Sequence, residues 1–150
     1  MFFHTALEAI RTAEFFALKS KLPYVWALVA KLGAPYDNHC PRDVLAQAQG
    51  HRKRANWAQA NAFESLPLFI AAVLVASIRQ ADASQIDNAA LLFVLARIAH
   101  GLFYIADLAR PRSLAWLIGL GCVVYLFGLA AGMAWLHPLD SLQSAVSAAR

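Results

Sequence analysis

The sequence predicts an all-α integral membrane protein, built as an antiparallel bundle of four membrane-spanning helices. Of its 150 residues, 60% are hydrophobic and only 15% are charged, whereas soluble domains carry about a quarter charged residues. Its basic residues lie in short loops beside apolar runs, which is the usual pattern of a cytoplasmic membrane face. The net charge of +4 therefore indicates membrane topology, and nucleic-acid binding is not expected. No linker-like composition divides the chain, so residues 1–150 are predicted to form one domain.

Four segments account for the predicted spans. In chain order they cover residues 13–32, 55–78, 88–106 and 113–136. The last three each approach the roughly 20 apolar residues that cross a bilayer. The first is weaker because charged residues such as Glu14 and Lys21 interrupt it, and Pro23 is expected to bend it. A surface-lying amphipathic helix is the alternative for this segment.

The charges of the loops predict the orientation of the bundle. Basic residues are concentrated in the first and third loops, where they are Lys31, Arg42, Arg52, Lys53, Arg54, Arg110 and Arg112. By the positive-inside tendency these two loops face the cytoplasm, and both termini face outward. The simplest interpretation of these cations is that they set the orientation of the bundle and contact lipid headgroups.

The fourth span carries its own local signals. Arg110-Pro111-Arg112 is predicted to be the tight connection before it, and Ser113 is predicted to begin and cap the helix. Gly128 and Gly132 form a small-xxx-small motif. This motif indicates close packing within the chain or, alternatively, at a subunit interface.

Cysteine spacing predicts no metal site. Cys40 falls in a predicted loop and Cys122 in the middle of a predicted helix. The pair offers neither a disulfide framework nor the spacing of metal ligands.

Polar residues follow one face of the second span. Trp57, Asn61 and Glu64 are spaced by four and then three residues, so their side chains share a stripe. An ionisable group inside a membrane helix costs several kcal/mol unless it is compensated. Glu64 therefore requires a partner elsewhere in the bundle.

The third span carries the matching stripe, formed by Arg97, His100 and Tyr104. Because the two spans are antiparallel, depth can be counted from their cytoplasmic ends. The counting pairs Glu64 with Arg97, Asn61 with His100, and Trp57 with Tyr104. We therefore predict a buried, bidentate Glu64–Arg97 pair with a polar cleft above it. Lys21 is a rival partner, and the pair could also serve only to fix helix register.

Near the predicted cytoplasmic face, the cations of the two loops surround this cleft. A small polyanion would be attracted there, and Arg112 would stabilise a bound thiolate. Ser113 could donate a hydrogen bond to the sulfur in addition to capping its helix.

Two separated motifs resemble one membrane family. Arg54, followed by Asn61-Ala-Phe-Glu64-Ser-Leu-Pro-Leu-Phe, is similar to the second helix of the MAPEG superfamily, the membrane-associated proteins of eicosanoid and glutathione metabolism. Arg97-Ile-Ala-His100-Gly-Leu-Phe-Tyr104, followed by Arg112-Ser113, resembles its third helix and the start of its fourth. Residues 31–42 resemble the first loop of a bacterial branch.

The resemblance implies a four-helix protomer that assembles as a homotrimer in the bacterial inner membrane, with glutathione bound between subunits near the cytoplasmic face. It implies thiol transfer to lipophilic electrophiles, or reduction of lipid hydroperoxides. The residues implied to bind glutathione or support its pocket are Arg54, Asn61, Glu64, Arg97, His100 and Tyr104. Arg112 and Ser113 are the implied catalytic pair.

Three departures from the family pattern keep a second class of function open. Trp57 stands where glutathione-using members carry an arginine, Ala62 where an acidic residue is usual, and Trp116 where a tyrosine is expected. Several polar contacts to glutathione are therefore missing. The alternative is a non-catalytic lipid-binding protein, or an accessory or assembly subunit of a larger membrane complex.

Overall fold

The computed structural model describes residues 21–33 and 37–133. All regular secondary structure in these residues is helical. A first helix, α1, has a described part that covers residues 21–31. It is followed by α2 (Pro41–Ala46), α3 (Gly50–Ile78), α4 (Ala83–Ile105) and α5 (Ala109–Ala130).

Helices α3, α4 and α5 are the three described helices that are long and apolar enough to cross a membrane. They correspond to the second, third and fourth predicted spans, and each packs on the other two. The turns between them are short, so neighbours along the chain run antiparallel. Most of the first predicted span before residue 21 lies outside the described residues, and so does the fourth span beyond residue 133.

All three long helices begin earlier than the predicted spans, and α4 does so at Ala83 rather than at residue 88. Helix α3 begins at Gly50, so Arg52, Lys53 and Arg54 belong to its first turns. Helix α5 begins at Ala109, which places Pro111 in its first turn. Proline is tolerated there because the first-turn amides have no intrahelical acceptor. The connection before α5 is therefore residues 106–108.

Ser113 does not cap α5, because it lies inside the helix. Its hydroxyl donates to the Ala109 carbonyl at 3.1 Å, the usual arrangement of a serine that follows its acceptor by four residues. The N-cap position is Leu108, which provides no side-chain hydrogen bond.

The long helices end in the same way. Gln80, Asp107 and Gly132 follow α3, α4 and α5 with φ of 55°, 64° and 74°. After α5, the Gly132 amide donates to Leu129 and the Met133 amide to Gly128, which is the Schellman pattern. Gly132 is thus a helix stop, and the small-xxx-small motif read from the sequence has only Gly128 inside the helix.

Three arginines satisfy carbonyl groups at the C-terminal ends of neighbouring helices. Arg52 Nε donates to the Ala30 carbonyl of α1 at 3.0 Å. Arg54 Nε donates to Ile105 of α4 at 3.0 Å, and Arg79 Nε donates to Ala130 of α5 at 3.2 Å. Helix C-terminal carbonyls lack intrahelical donors and favour positive charge. These contacts fasten helices together at both ends of the bundle.

The apolar core lies in the half of the bundle near Arg79. The Phe69 and Phe93 rings stack in parallel with centroids 4.1 Å apart. Both side chains, together with Leu126 of α5, are almost fully buried in one cluster. This core joins all three long helices.

Helix α1 packs at the opposite, basic half. Leu22 and Trp26 form a second cluster with Ala58 and Ala62 of α3. The Trp26 indole lies so close to Gly101 of α4 that a Cβ there would overlap it. Gly101 therefore permits α1 and α4 to meet.

Candidate functional site

The polar stripes of α3 and α4 face each other at the basic end of the bundle. The Trp57 and Tyr104 rings lie with centroids 6.3 Å apart, and counting residues from the cytoplasmic ends of the two spans predicts this pair. The match of residues by depth from the cytoplasmic ends is confirmed for this pair. It also places the remaining members of the two stripes on the same side of α3 and α4.

The buried cation of the site binds Asn61 rather than Glu64. Arg97 is only 3% exposed. The Nη2 atom of the Arg97 guanidinium donates to the backbone carbonyl of Asn61 at 3.2 Å and also to the side-chain oxygen of Asn61. The Asn61 amide nitrogen then donates to Glu64 at 3.4 Å. The predicted direct Glu64–Arg97 pair was wrong: an amide stands between the two charges, and Glu64 is exposed.

The length of the arginine side chain explains this difference. Asn61 lies one helical turn nearer the basic end than Glu64, and a guanidinium reaches that far along a neighbouring helix. Gly119 of α5 lies over the same side chain, since a Cβ there would be 3.4 Å from Arg97 Cδ. The small residue allows α5 to close over Arg97, which keeps the guanidinium buried.

His100 connects α4 to the start of α5. Its Nδ1 lies 3.1 Å from the Arg112 carbonyl. A carbonyl can only accept, so Nδ1 carries the proton in this contact, and Nε2 is free to accept in a neutral ring. The Nε2 atom is buried and has no hydrogen-bond partner within the described part of the chain.

Two cations flank a pair of aromatic rings across the mouth of the site. The Lys53 ammonium lies 5.2 Å from the centroid of the Trp57 ring, and the Arg112 guanidinium lies 4.4 Å from that of Tyr104. The Trp57 and Tyr104 rings contact each other in the middle. Such cation–π contacts favour a fixed position of the charge. Arg112 is thereby held through its backbone by His100 and through its side chain by Tyr104.

An open cavity of about 420 Å³ lies at this place, and we call it the outer cavity. Its lining residues are Asn61, His100, Tyr104, Arg112, Ser113, Trp116 and Leu117. Five of the eight predicted site residues are thus brought to one surface. The cavity offers a cation, a hydroxyl and an imidazole beside apolar walls.

A smaller cavity of about 160 Å³, the inner cavity, follows toward the middle of the bundle. It shares Asn61 and Trp116 with the outer cavity and is also lined by Glu64, Arg97 and Phe93. Two further predicted residues, Glu64 and Arg97, therefore belong to this second space. Its other walls are mainly apolar.

Arg54, the eighth predicted residue, is engaged at the end of α4. Besides its bond to Ile105, its terminal nitrogen lies 3.5 Å from an Asp107 carboxylate oxygen. It lines neither the outer nor the inner cavity. Its positive charge nevertheless remains at the basic end.

Two of the three departures from the family pattern, Ala62 and Trp116, have a structural role. Ala62 is buried against Trp26 of α1, where an acidic side chain would not fit. Trp116 forms a wall shared by both cavities. The contact between His100 and the Arg112 carbonyl was not foreseen, because no side-chain pattern signals a bond to a backbone oxygen twelve residues away.

A family model described as the MAPEG family matches residues 15–132. The match includes both polar stripes and the Arg112-Ser113 pair. No curated protein matches the chain.

Proposed function

Because the chain belongs to the MAPEG family, we propose that it is a membrane-bound, glutathione-dependent transferase or peroxidase that acts on lipophilic electrophiles or lipid hydroperoxides. Family membership and the three apolar helices make it a multi-pass membrane protein. The observation that carries the proposal is the outer cavity, which brings Arg112 and Ser113 together with His100 at the basic end.

The chemistry follows from the charge at that cavity. A thiol near the Arg112 guanidinium loses its proton more readily, because the positive charge stabilises the thiolate. The Ser113 hydroxyl can turn from the Ala109 carbonyl toward the sulfur. In the transferase reaction the thiolate attacks the electrophilic carbon and displaces a leaving group or opens a ring. In the peroxidase reaction two thiols give one disulfide, while a hydroperoxide gives an alcohol and water.

The residues present fit glutathione as the co-substrate. A cavity of about 420 Å³ is within the usual range of roughly 300–1,000 Å³ for small-molecule sites. Glu64 is available for the ammonium group, and the cations at this end of the bundle suit the two carboxylates.

We further propose a homotrimer in the bacterial inner membrane, with the first and third loops cytoplasmic and both termini outside. The openness of the site supports this assembly. Glu64 and Trp116 are exposed on the surface of the protomer, and a neighbouring subunit would cover them. The basic residues at one end of the bundle support the orientation.

Glutathione binding to protein purified into lipid nanodiscs tests the proposed function. We expect saturable binding and the ultraviolet absorbance of a thiolate, followed by conjugation of a lipophilic electrophile. Absence of any glutathione binding in a folded sample would reject the proposal.

The second candidate is a non-catalytic lipid-binding or accessory subunit of a larger membrane complex. The observation in its favour is the aromatic character of the site, because Trp57 and Trp116 are 45% and 41% exposed where polar contacts to glutathione are expected. Purification in a mild detergent distinguishes the two. A stoichiometric partner and no glutathione binding would favour the subunit, whereas an active homotrimer would exclude it.

A further inference from the structure

The start of α5 carries several residues of the outer cavity but lacks a side-chain cap. Arg112, Ser113 and Trp116 all line that cavity. The N-cap position, Leu108, provides no side-chain hydrogen bond, and Asp107 before it has a φ of 64°. A capping side chain normally secures the start of a helix and contributes about 1 kcal/mol. The orientation of this part of α5 therefore depends on contacts that other helices make with it.

His100 of α4 makes such a contact with the backbone of α5. Its Nδ1 lies 3.1 Å from the Arg112 carbonyl, and the residue is only 4% exposed. A carbonyl oxygen has two lone pairs, so it can accept from the imidazole as well as from the amide four residues later in its own helix. The Tyr104 ring packs edge to face against the imidazole, with centroids 5.5 Å apart. A buried and supported donor thus holds one point of the α5 backbone.

A fixed carbonyl at this point determines which side chains of α5 face the outer cavity. Arg112 and Trp116 are four residues apart and share one face of the helix, and Ser113 lies roughly 100° further round the axis. A rotation of α5 or a shift along its axis would move all three side chains together. Tyr104 contacts the Arg112 guanidinium, 4.4 Å from its ring centroid. That contact lies at the end of a long side chain and leaves the backbone free to rotate, whereas the His100 contact does not.

We propose that His100 is a positioning residue for the thiol chemistry: its Nδ1–H holds the Arg112 carbonyl and so keeps the Arg112 guanidinium and the Ser113 hydroxyl at the sulfur of the bound thiol. The inference rests on the proposed function, because it gives His100 a part in stabilising the thiolate. It is separate from any contact between His100 and glutathione, since it uses Nδ1 and acts through α5. A misplacement of about 1 Å is enough to lower a rate by about a hundredfold.

Three substitutions at this position separate the Nδ1 donor from the rest of the ring. The amide nitrogen of His100→Asn is as many bonds from the backbone as Nδ1 and can replace that donor. The amide of His100→Gln lies one bond further out, near the place of Nε2, and His100→Leu has no donor. His100→Asn and His100→Gln are matched in chemistry, so a difference between them reports the position of the donor.

The measurements are the pH midpoint of the thiolate absorbance and kcat/KM, in nanodiscs supplied with glutathione. In His100→Leu and His100→Gln the midpoint should rise by about one pH unit, because the stabilising positive charge moves away from the sulfur. In the same two variants kcat/KM should fall about ten- to a hundredfold. His100→Asn should keep both values close to those of the unmodified protein.

The outcomes separate this role from a direct contact with the ligand. Restoration by His100→Gln rather than by His100→Asn would overturn the proposal in favour of a contact between Nε2 and glutathione. An unchanged midpoint in His100→Leu would overturn it while leaving the proposed function intact. Absence of any thiolate in the unmodified protein would reject the proposed function and this inference together.

Nitrogen NMR of histidine-labelled protein gives a second test, which needs no ligand. The signal that is lost in His100→Asn should belong to a ring protonated at Nδ1, as donation to the Arg112 carbonyl requires. A ring protonated only at Nε2 would overturn the proposal, because its Nδ1 could not donate to that carbonyl.

Discussion

The two halves of the α3–α4–α5 bundle are built from the same three helices but in opposite ways. In the half near Arg79, Phe69, Phe93 and Leu126 fill the space between the helices and are at most 1% exposed. In the basic half, Arg97 and His100 are nearly as deeply buried, yet each retains one nitrogen that has no hydrogen-bond partner in the described residues. The two cavities also lie in or beside this half.

This difference indicates a division of labour. Lipid offers no hydrophobic drive for association between helices, so van der Waals packing must hold them at a fixed distance. The apolar half supplies that packing. The basic half then keeps its spacing although polar groups and open space replace the core. Buried polar atoms without hydrogen-bond partners are costly, and an ordered water or a ligand is what satisfies such atoms.

The largest expected effect breaks the apolar half. Phe69→Ala removes one of the two stacked rings and should lower the free energy of unfolding by about 3–5 kcal/mol. Unfolding in mixed micelles of increasing denaturing-detergent content measures it. Phe127→Ala, at a ring of α5 that is 37% exposed, is the control and should cost much less. Equal losses would mean that Phe69 and Phe93 do not hold the helices together.

The next effect tests the basic half without disturbing the core. Arg112→Ala should lower kcat/KM with glutathione on the order of 10²–10³, as removal of one group that stabilises a developing anion does, and should abolish the thiolate absorbance. Stability should change little, because Arg112 lies at the open mouth. Arg110→Ala, two residues earlier and exposed, is the control. Unchanged thiolate absorbance in Arg112→Ala would exclude Arg112 as the stabilising cation.

A smaller loss of stability should follow from Asn61→Leu. The substitution removes the side-chain acceptor of the Arg97 guanidinium, and an unsatisfied buried donor costs about 1–3 kcal/mol. Detergent unfolding again measures it. Glu64→Gln is the control, because Glu64 is exposed and contacts Arg97 only through Asn61. If Glu64→Gln were the more destabilising variant, the carboxylate would be the true partner of Arg97.

The smallest effect concerns Trp57. Trp57→Leu removes the ring that contacts Tyr104, a contact worth about 0.5–1.5 kcal/mol, and so loosens the support of Arg112. Affinity for glutathione and the thiolate fraction should both fall, by about two- to tenfold. Trp57→Phe preserves an aromatic ring and should behave almost as the unmodified protein. A larger loss in Trp57→Phe than in Trp57→Leu would contradict a role for the ring contact.

Patterns of apolar and polar residues were sufficient to predict the three long helices and the facing of their stripes. A membrane helix is signalled by about 20 consecutive, mostly apolar residues, so a few polar residues do not hide it. The match of Trp57 with Tyr104 depends only on the rise per residue of a helix. Exact partners were not predictable in this way, because the Arg97 side chain can reach either Glu64 or Asn61 from the same backbone level.

Helix ends were the least predictable feature. Pro111 was interpreted as part of a loop, although proline is compatible with a first turn, and Gly132 was interpreted as a packing residue, although it ends α5. The arginine contacts to helix ends depend on where the chain turns, so Arg54 could be placed near the site but not at the Ile105 carbonyl. The short helix α2 was missed, because six residues carry too weak a periodic signal; Pro41 at its start was the available clue.

The arginines that fasten helix ends also bear on how the protein is made. Arg54 and Arg79 each precede the carbonyl they bind by 51 residues, so a ribosome releases each guanidinium well before its acceptor exists. Until then these side chains can be solvated by water and lipid phosphates at the bilayer surface. Insertion of α4 gives Arg54 its acceptor and insertion of α5 gives Arg79 its own, so biogenesis would close the bundle in the order of translation, one hairpin after the other.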